Sequence, residues 1–143
     1  MTIRVVCLNR GSNKAWEQAA DEYAKRLERY CKVWREPAKR NTKERAKNTG
    51  MKSGYLVRVK PEGAVLSSEE LAKWLQDLMN SGISDVAFLI NRGADEKNDP
   101  FLSEINQELS LSGLDLPDDA ACALLLEQIY RGFKIMRGES YHK

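Results

Sequence analysis

Val86-Ala87-Phe88-Leu89-Ile90 is an unbroken apolar run in a chain whose charged residues make up 31%. A half-exposed strand alternates apolar and polar positions, whereas a short run that is apolar throughout reads as a central strand covered on both faces. Upstream of the run, Ser67 stands three residues before Glu70, the spacing of a helix capping box. Leu71, Trp74, Leu75 and Leu78 follow at helical intervals, and Gly82 supplies a stop. Tyr55 to Val59 reads as a preceding strand, Lys32 to Glu36 as another closed by Pro37, and Ile3 to Leu8 as the first. Between those last two, Trp16, Ala19, Ala20, Tyr23, Leu27 and Tyr30 mark one face of an amphipathic helix capped by Ser12 or Asn13. Downstream, Asp99-Pro100 opens a short helix carrying Leu102 and Ile105, and Leu109 to Ser112 reads as a fifth strand. A last helix, capped by Asp118 or Asp119, holds Ala121, Leu124, Leu125, Ile129 and Phe133 and ends near Gly138. Strand and helix alternate without an internal repeat or linker. Residues 1–143 are therefore expected to form a single α/β domain, a mostly parallel open sheet with helices on both faces.

Composition narrows the function. The 143 residues are 42% hydrophobic, which excludes a disordered chain, and no apolar run is long enough to cross a bilayer, so no membrane partner is expected. The N-terminus lacks the pattern of a secretion signal. Cys7, Cys31 and Cys122 are odd in number, far apart and in apolar surroundings, which fits free thiols in a reducing cytoplasm. With a single histidine and no paired cysteines, no metal site is expected. The net charge of +2 conceals a polarity: residues 1–60 hold 16 basic against 6 acidic side chains, residues 61–143 hold 7 against 15. The densest basic stretch runs from Lys32 to Lys52. It suits phosphate binding, and equally a solvated surface partly neutralised by the acidic half.

Ligands of open α/β sheets bind beyond the carboxyl ends of the strands. Here the loops are Lys60-Pro61-Glu62-Gly63-Ala64, Asn91-Arg92-Gly93-Ala94-Asp95-Glu96 and Gly113-Leu114-Asp115-Leu116-Pro117. Gly63, Gly93 and Gly113 would each let backbone approach a ligand closely, or simply make turns. No P-loop lysine motif is present, no GxGxxG follows the first strand, and no Ser-His-Asp arrangement is suggested.

Four segments, in order, resemble the RlmH family of SPOUT methyltransferases. Glu22-Tyr23-Ala24-Lys25-Arg26-Leu27 is similar to the family's E-Y-x-K-R-[LF], and Ser110-Leu111-Ser112-Gly113-Leu114-Asp115-Leu116-Pro117 to its SLSxLTLPH-type segment. Glu127-Gln128-Ile129-Tyr130-Arg131-Gly132 resembles its E-Q-[IL]-Y-R-A, and Tyr141-His142-Lys143 its P-Y-H-[KR] tail. The resemblance spans nearly the whole chain. It implies a SPOUT-like fold with a C-terminal trefoil knot, a homodimer, S-adenosylmethionine as cofactor, and methylation at N3 of a pseudouridine in large-subunit (23S) ribosomal RNA. By the same resemblance the cofactor would be held by Val59, Gly93, Ser112, Gly113, Leu114, Asp115, Leu116 and Pro117. Tyr130, Arg131, Tyr141 and His142 would line the substrate side. Arg131 would hold an RNA phosphate or the developing charge on the base, and His142 would orient the base or take its imide proton.

The chain departs from the family pattern where the cofactor should sit. After the central strand the family has I-G-G-x-x-G; here only Gly93 keeps a glycine, while Arg92 and Glu96 replace two others. An arginine beside a sulfonium is unfavourable. In place of L-D-x-x-G-K the chain reads Val59-Lys60-Pro61-Glu62-Gly63-Ala64, and Ser140 replaces the tail proline. Two readings within the family stand: an active RNA methyltransferase with an altered cofactor loop, and a divergent, weak or inactive relative serving as a dimeric RNA-binding or structural module. An unrelated α/β protein is the third.

Overall fold

The computed structural model describes residues 1–7, 13–36, 54–90 and 105–141. Five strands and three helices follow in the order β1 (Thr2–Cys7), α1 (Lys14–Leu27), β2 (Lys32–Glu36), β3 (Tyr55–Val65), α2 (Ser68–Asn80), β4 (Asp85–Ile90), β5 (Gln107–Ser110) and α3 (Asp118–Met136). The strands form one sheet in the order β2-β1-β4-β3-β5, and every pairing is parallel. The apolar run of β4 lies in the middle, as its composition requires: Val86, Ala87 and Phe88 are wholly buried, Leu89 and Ile90 nearly so.

Strand geometry sends alternate side chains to opposite faces. Ile3, Val5, Val57, Val59, Val86, Phe88, Ile90 and Leu109 point to the face that carries all three described helices. There they meet Leu27 of α1, Leu71, Leu75 and Leu78 of α2, and Leu125, Leu126, Ile129 and Phe133 of α3. Full burial of each such side chain is worth about 1.5–3 kcal/mol, so this layer holds the molecule together and surface ion pairs such as Lys73–Asp77 add little. The opposite face has its own apolar cluster, Val6, Leu56, Ala87 and Leu89, joined by Ile105. Helices were expected on both faces; among the described residues they lie on one.

The helix ends are set locally. Asn13 Oδ1 accepts from the Ala15 N–H at 2.9 Å to start α1. Ser67 and Glu70 form the reciprocal capping box of α2. Beyond α2, Gly82 (φ +82°) places its N–H on Met79 O and the Ile83 N–H on Leu78 O, a Schellman closure. The expected cap of α3 is corrected: its N-cap is Pro117, which offers no side-chain acceptor, while Asp118 and Asp119 lie buried in the first turn. Acidic groups there still complement the helix dipole. Two strand ends also differ. β3 runs on past Val59 to Val65, because an interposed bulge returns Ala64 to the ladder, and β5 stops at Ser110 where the Gly113 turn begins. The expected helix at Asp99-Pro100 and most of the basic stretch lie outside the described residues.

Candidate functional site

Parallel strands end on a common edge. Cys7 pairs with Ile90, Ile90 with Val59, and Val59 with Leu109, so four strands contribute one residue each to a row at the carboxyl edge, where β1 and β4 end and β3 bulges out of the ladder. Beyond that row, the bulge after Val59 and the turn after β5 flank a small cleft that Ile90 and the start of α3 complete. Its walls are mainly apolar: Val59 and Pro61 from β3, Ile90 from β4, Leu111, Leu114 and Leu116 from the turn after β5, and Ala121 from the first turns of α3. Lys60, Ser110, Asp115 and Asp118 add the polar groups. An apolar wall with few polar groups is the usual make-up of a small-ligand site.

Each wall has a local cause. Val59 and Ala64 both pair with Leu109, so Lys60-Pro61-Glu62-Gly63 bulges out of the ladder. Gly63 makes this possible: a Cβ there would lie 2.5 Å from the Leu109 carbonyl carbon. Its missing side chain serves approach to β5, not to a ligand. Lys60 Nζ reaches Glu108 at 2.9 Å, which compensates its charge at the cleft wall. On the far side, the turn after β5 is held by two hydroxyls. Ser110 Oγ accepts from the Gly113 N–H at 2.9 Å and Ser112 Oγ from the Leu114 N–H at 3.2 Å. Gly113 takes φ +72°, which favours glycine. The turn leaves Leu114 69% exposed, an apolar side chain at the cleft mouth with room for a partner.

Of the expected cofactor residues, Val59, Leu114, Asp115 and Leu116 line the cleft, and Ser112, Gly113 and Pro117 shape the turn beside them. Gly93 lies outside the described residues. Lys60, Pro61, Ile90, Ser110, Leu111, Asp118 and Ala121 were not expected as cofactor residues; the strand-end rule pointed at this edge without naming which side chains turn inward.

The expected substrate-side residues gather elsewhere. Arg131 lies thirteen residues beyond Asp118 on α3, about 20 Å along the axis at 1.5 Å per residue. Glu127, one turn before it, accepts from Arg131 Nη2 at 2.7 Å and Nε at 3.1 Å, and from the Tyr141 hydroxyl at 3.1 Å. The Arg131 guanidinium stacks 4.9 Å from the Tyr141 ring centre, and the Tyr141 ring meets Tyr130 edge-on at 5.0 Å. Tyr23 of α1 closes the group, its hydroxyl 3.4 Å from that of Tyr141. Burial raises the Tyr141 pKa, aided by the Tyr23 hydrogen bond and the Glu127 charge, so the hydroxyl stays protonated and acts as a donor. The Glu127 hydrogen bond raises the Arg131 pKa, keeping it cationic. His142 lies outside the described residues. No group of metal-ligating side chains occurs among the described residues, and no described helix is long and apolar enough to cross a membrane.

A sequence model of the family described as "Predicted SPOUT methyltransferase" matches residues 1–142. Among solved structures, the chain is similar to a probable methylase family protein from Haemophilus influenzae Rd KW20, with a TM-score of 0.57 and 12% identity. That match covers 95% of this chain and 66% of the other, so the chain spans just under two thirds of that structure. At such identity the likeness is one of fold.

Proposed function

The chain belongs to the SPOUT methyltransferase family, and from that premise we propose that it transfers the methyl group of S-adenosylmethionine to N3 of a pseudouridine in large-subunit (23S) ribosomal RNA, as an RlmH-type enzyme. The observation that carries this reading is the convergence of the strand-end turns on one apolar cleft that takes in Val59, Leu114, Asp115 and Leu116. In the same reading the C-terminal segment is knotted, and Gly93 belongs to the cofactor loops.

The residues present fit the cofactor. Leu114, Leu116 and Val59 share the apolar lining that would take the adenine, and backbone groups of Ser112 to Pro117 would hold its edge and the ribose. When bound, the cofactor supplies an electrophilic methyl on a sulfonium. The chain's part is to hold that methyl in line with N3, and proximity provides most of the acceleration. Lys60 does not oppose binding, because its ammonium is paired with Glu108.

Arg131, about 20 Å along α3 from Asp118, and Tyr141, packed against it, are too far to serve the cleft of their own protomer. The reading therefore requires a homodimer in which each cleft is completed by Arg131, Tyr141 and His142 of the second copy. Held by Glu127, the Arg131 guanidinium is oriented to grip a phosphate or the negative charge that develops on the imide. The Tyr141 hydroxyl, kept protonated, orients the base and does not remove its proton; His142 is the group left for that step.

The test is transfer of labelled methyl to ribosomal large subunits bearing an unmethylated pseudouridine. Label at N3 of that nucleotide is the expected outcome. Cofactor binding without incorporation into any ribosomal substrate would instead favour the divergent RNA-binding relative.

A further inference from the structure

Helix α3 ends in a second Schellman closure. Gly138 (φ +64°) places its N–H on Ile135 O at 3.1 Å, and the Glu139 N–H reaches Lys134 O at 2.9 Å. This turns the chain sharply and brings the Glu139 side chain back over the helix end. There Glu139 Oε2 accepts from Lys134 Nζ at 2.7 Å and from the Tyr30 hydroxyl at 2.8 Å. Both donors hold the Glu139 pKa below the usual carboxylate range, so the carboxylate is charged at neutral pH. Tyr30, just beyond α1, is itself fixed. Its ring stacks on Phe133 at 5.6 Å, and the Arg137 guanidinium covers it at 4.7 Å. Two residues after Glu139 comes Tyr141, wedged between Tyr23, Glu127, Tyr130 and Arg131. Two residues of chain span at most about 7 Å, so the place of Tyr141 depends on the place of Glu139.

We propose that Glu139, gripped by Lys134 and Tyr30, is a positioning residue that locks the chain leaving α3 so that Tyr141 is presented to the substrate. No proline stiffens this tail, since position 140 is serine. The ion pair and the tyrosine hydroxyl do that work. The proposal rests on the reading that places Tyr141 at the substrate. Its anchor joins the end of α1 to the end of α3; Tyr30 and Lys134 flank the Tyr130 ring, while Glu139 itself lies away from the residues that line the cleft.

The experiment compares the unmutated full chain with Glu139→Gln, Glu139→Ala and Glu139→Asp. Hydrogen exchange in the peptide 138–143 and tryptic cleavage after Arg137 report the tail. Titration with S-adenosylmethionine and steady-state transfer to ribosomal RNA report function. In Glu139→Gln, exchange and cleavage should rise about tenfold and kcat/KM for RNA should fall about tenfold, because a charge-assisted pair is lost. Cofactor affinity and melting temperature should stay unchanged, and Glu139→Asp should recover most of both effects. Unchanged exchange and cleavage in both Glu139→Gln and Glu139→Ala would overturn the clamp. A loosened tail with unchanged transfer would overturn the positioning role. A drop in melting temperature that tracks the activity, without rescue by aspartate, would assign Glu139 to the fold instead. Exchange and cleavage need no turnover, so they decide the clamp even if the unmutated chain transfers no methyl.

Discussion

Arg131 is useful to the proposed reaction because Glu127 and Tyr141 prevent its long side chain from wandering. The two Glu127 hydrogen bonds fix the plane of the guanidinium and the Tyr141 ring fixes its face. A lysine keeps the charge and loses the fork. Arg131→Ala is therefore expected to lower methyl transfer by about a hundredfold, a typical loss for one group that stabilises developing charge, with cofactor affinity unchanged; Arg131→Lys should recover only part of it. Equal loss of binding and transfer would place the residue in the fold. Cys31 makes a different residue-scale point. Burial pushes its thiol up to about 11 from 9.0, and its Sγ faces Leu27 O. Its folded pKa lies above its unfolded value, so this contribution to stability is complete below about pH 9 and is lost as pH rises toward 11. Urea midpoints measured from pH 7 to 11 should fall over that window, and iodoacetamide should leave Cys31 intact in the native protein at pH 7. Cys31 and Cys122 were legible as buried thiols from their apolar neighbours, whereas Cys7 at the strand end is only half-buried. The Arg131–Glu127–Tyr141 grouping was not, because nothing in the sequence says that the tail folds back onto α3.

Elements show which glycines are structural and which are merely tolerated. At Gly63 a methyl group would strike the Leu109 backbone at 2.5 Å, and backbone within a sheet cannot step aside. Gly63→Ala should cost about 1–3 kcal/mol, the range for overpacking, and should weaken cofactor binding because β3 forms a cleft wall. Gly132 on α3 faces α2, yet its added Cβ would lie 3.5 Å from Leu75 Cδ1 and 3.6 Å from Ala72 Cα, an ordinary contact. Gly132→Ala should stabilise the protein by about 0.5–1 kcal/mol through helix propensity and the unfolded chain. Denaturant unfolding of the two variants should thus move in opposite directions. The capping box of α2 and the buried β4 were readable because both depend on residues adjacent in sequence. The length of β3 was not: Pro61 and Gly63 carry the composition of a loop, and only pairing with β5 shows the chain rejoining the ladder at Ala64.

At the scale of the molecule, the proposal turns on the separation between the cleft at the start of α3 and the arginine–tyrosine group toward its end. The loops of the cleft were foreseeable from strand order alone, since parallel strands deliver their ends to one edge. In the proposed reaction a second copy is called for by that distance, which a sequence does not carry. Light scattering at micromolar concentration should give twice the chain mass of 16.3 kDa; a stable monomer would leave each cleft without its arginine and contradict the composite site. The most direct test of the whole account is calorimetric titration of the purified protein with S-adenosylmethionine, alongside a Leu116→Asp variant that places a charge in the apolar wall. Saturable binding at one site per chain is expected, abolished in a variant that remains folded. Absence of heat at millimolar cofactor, or equal binding by both proteins, would contradict it.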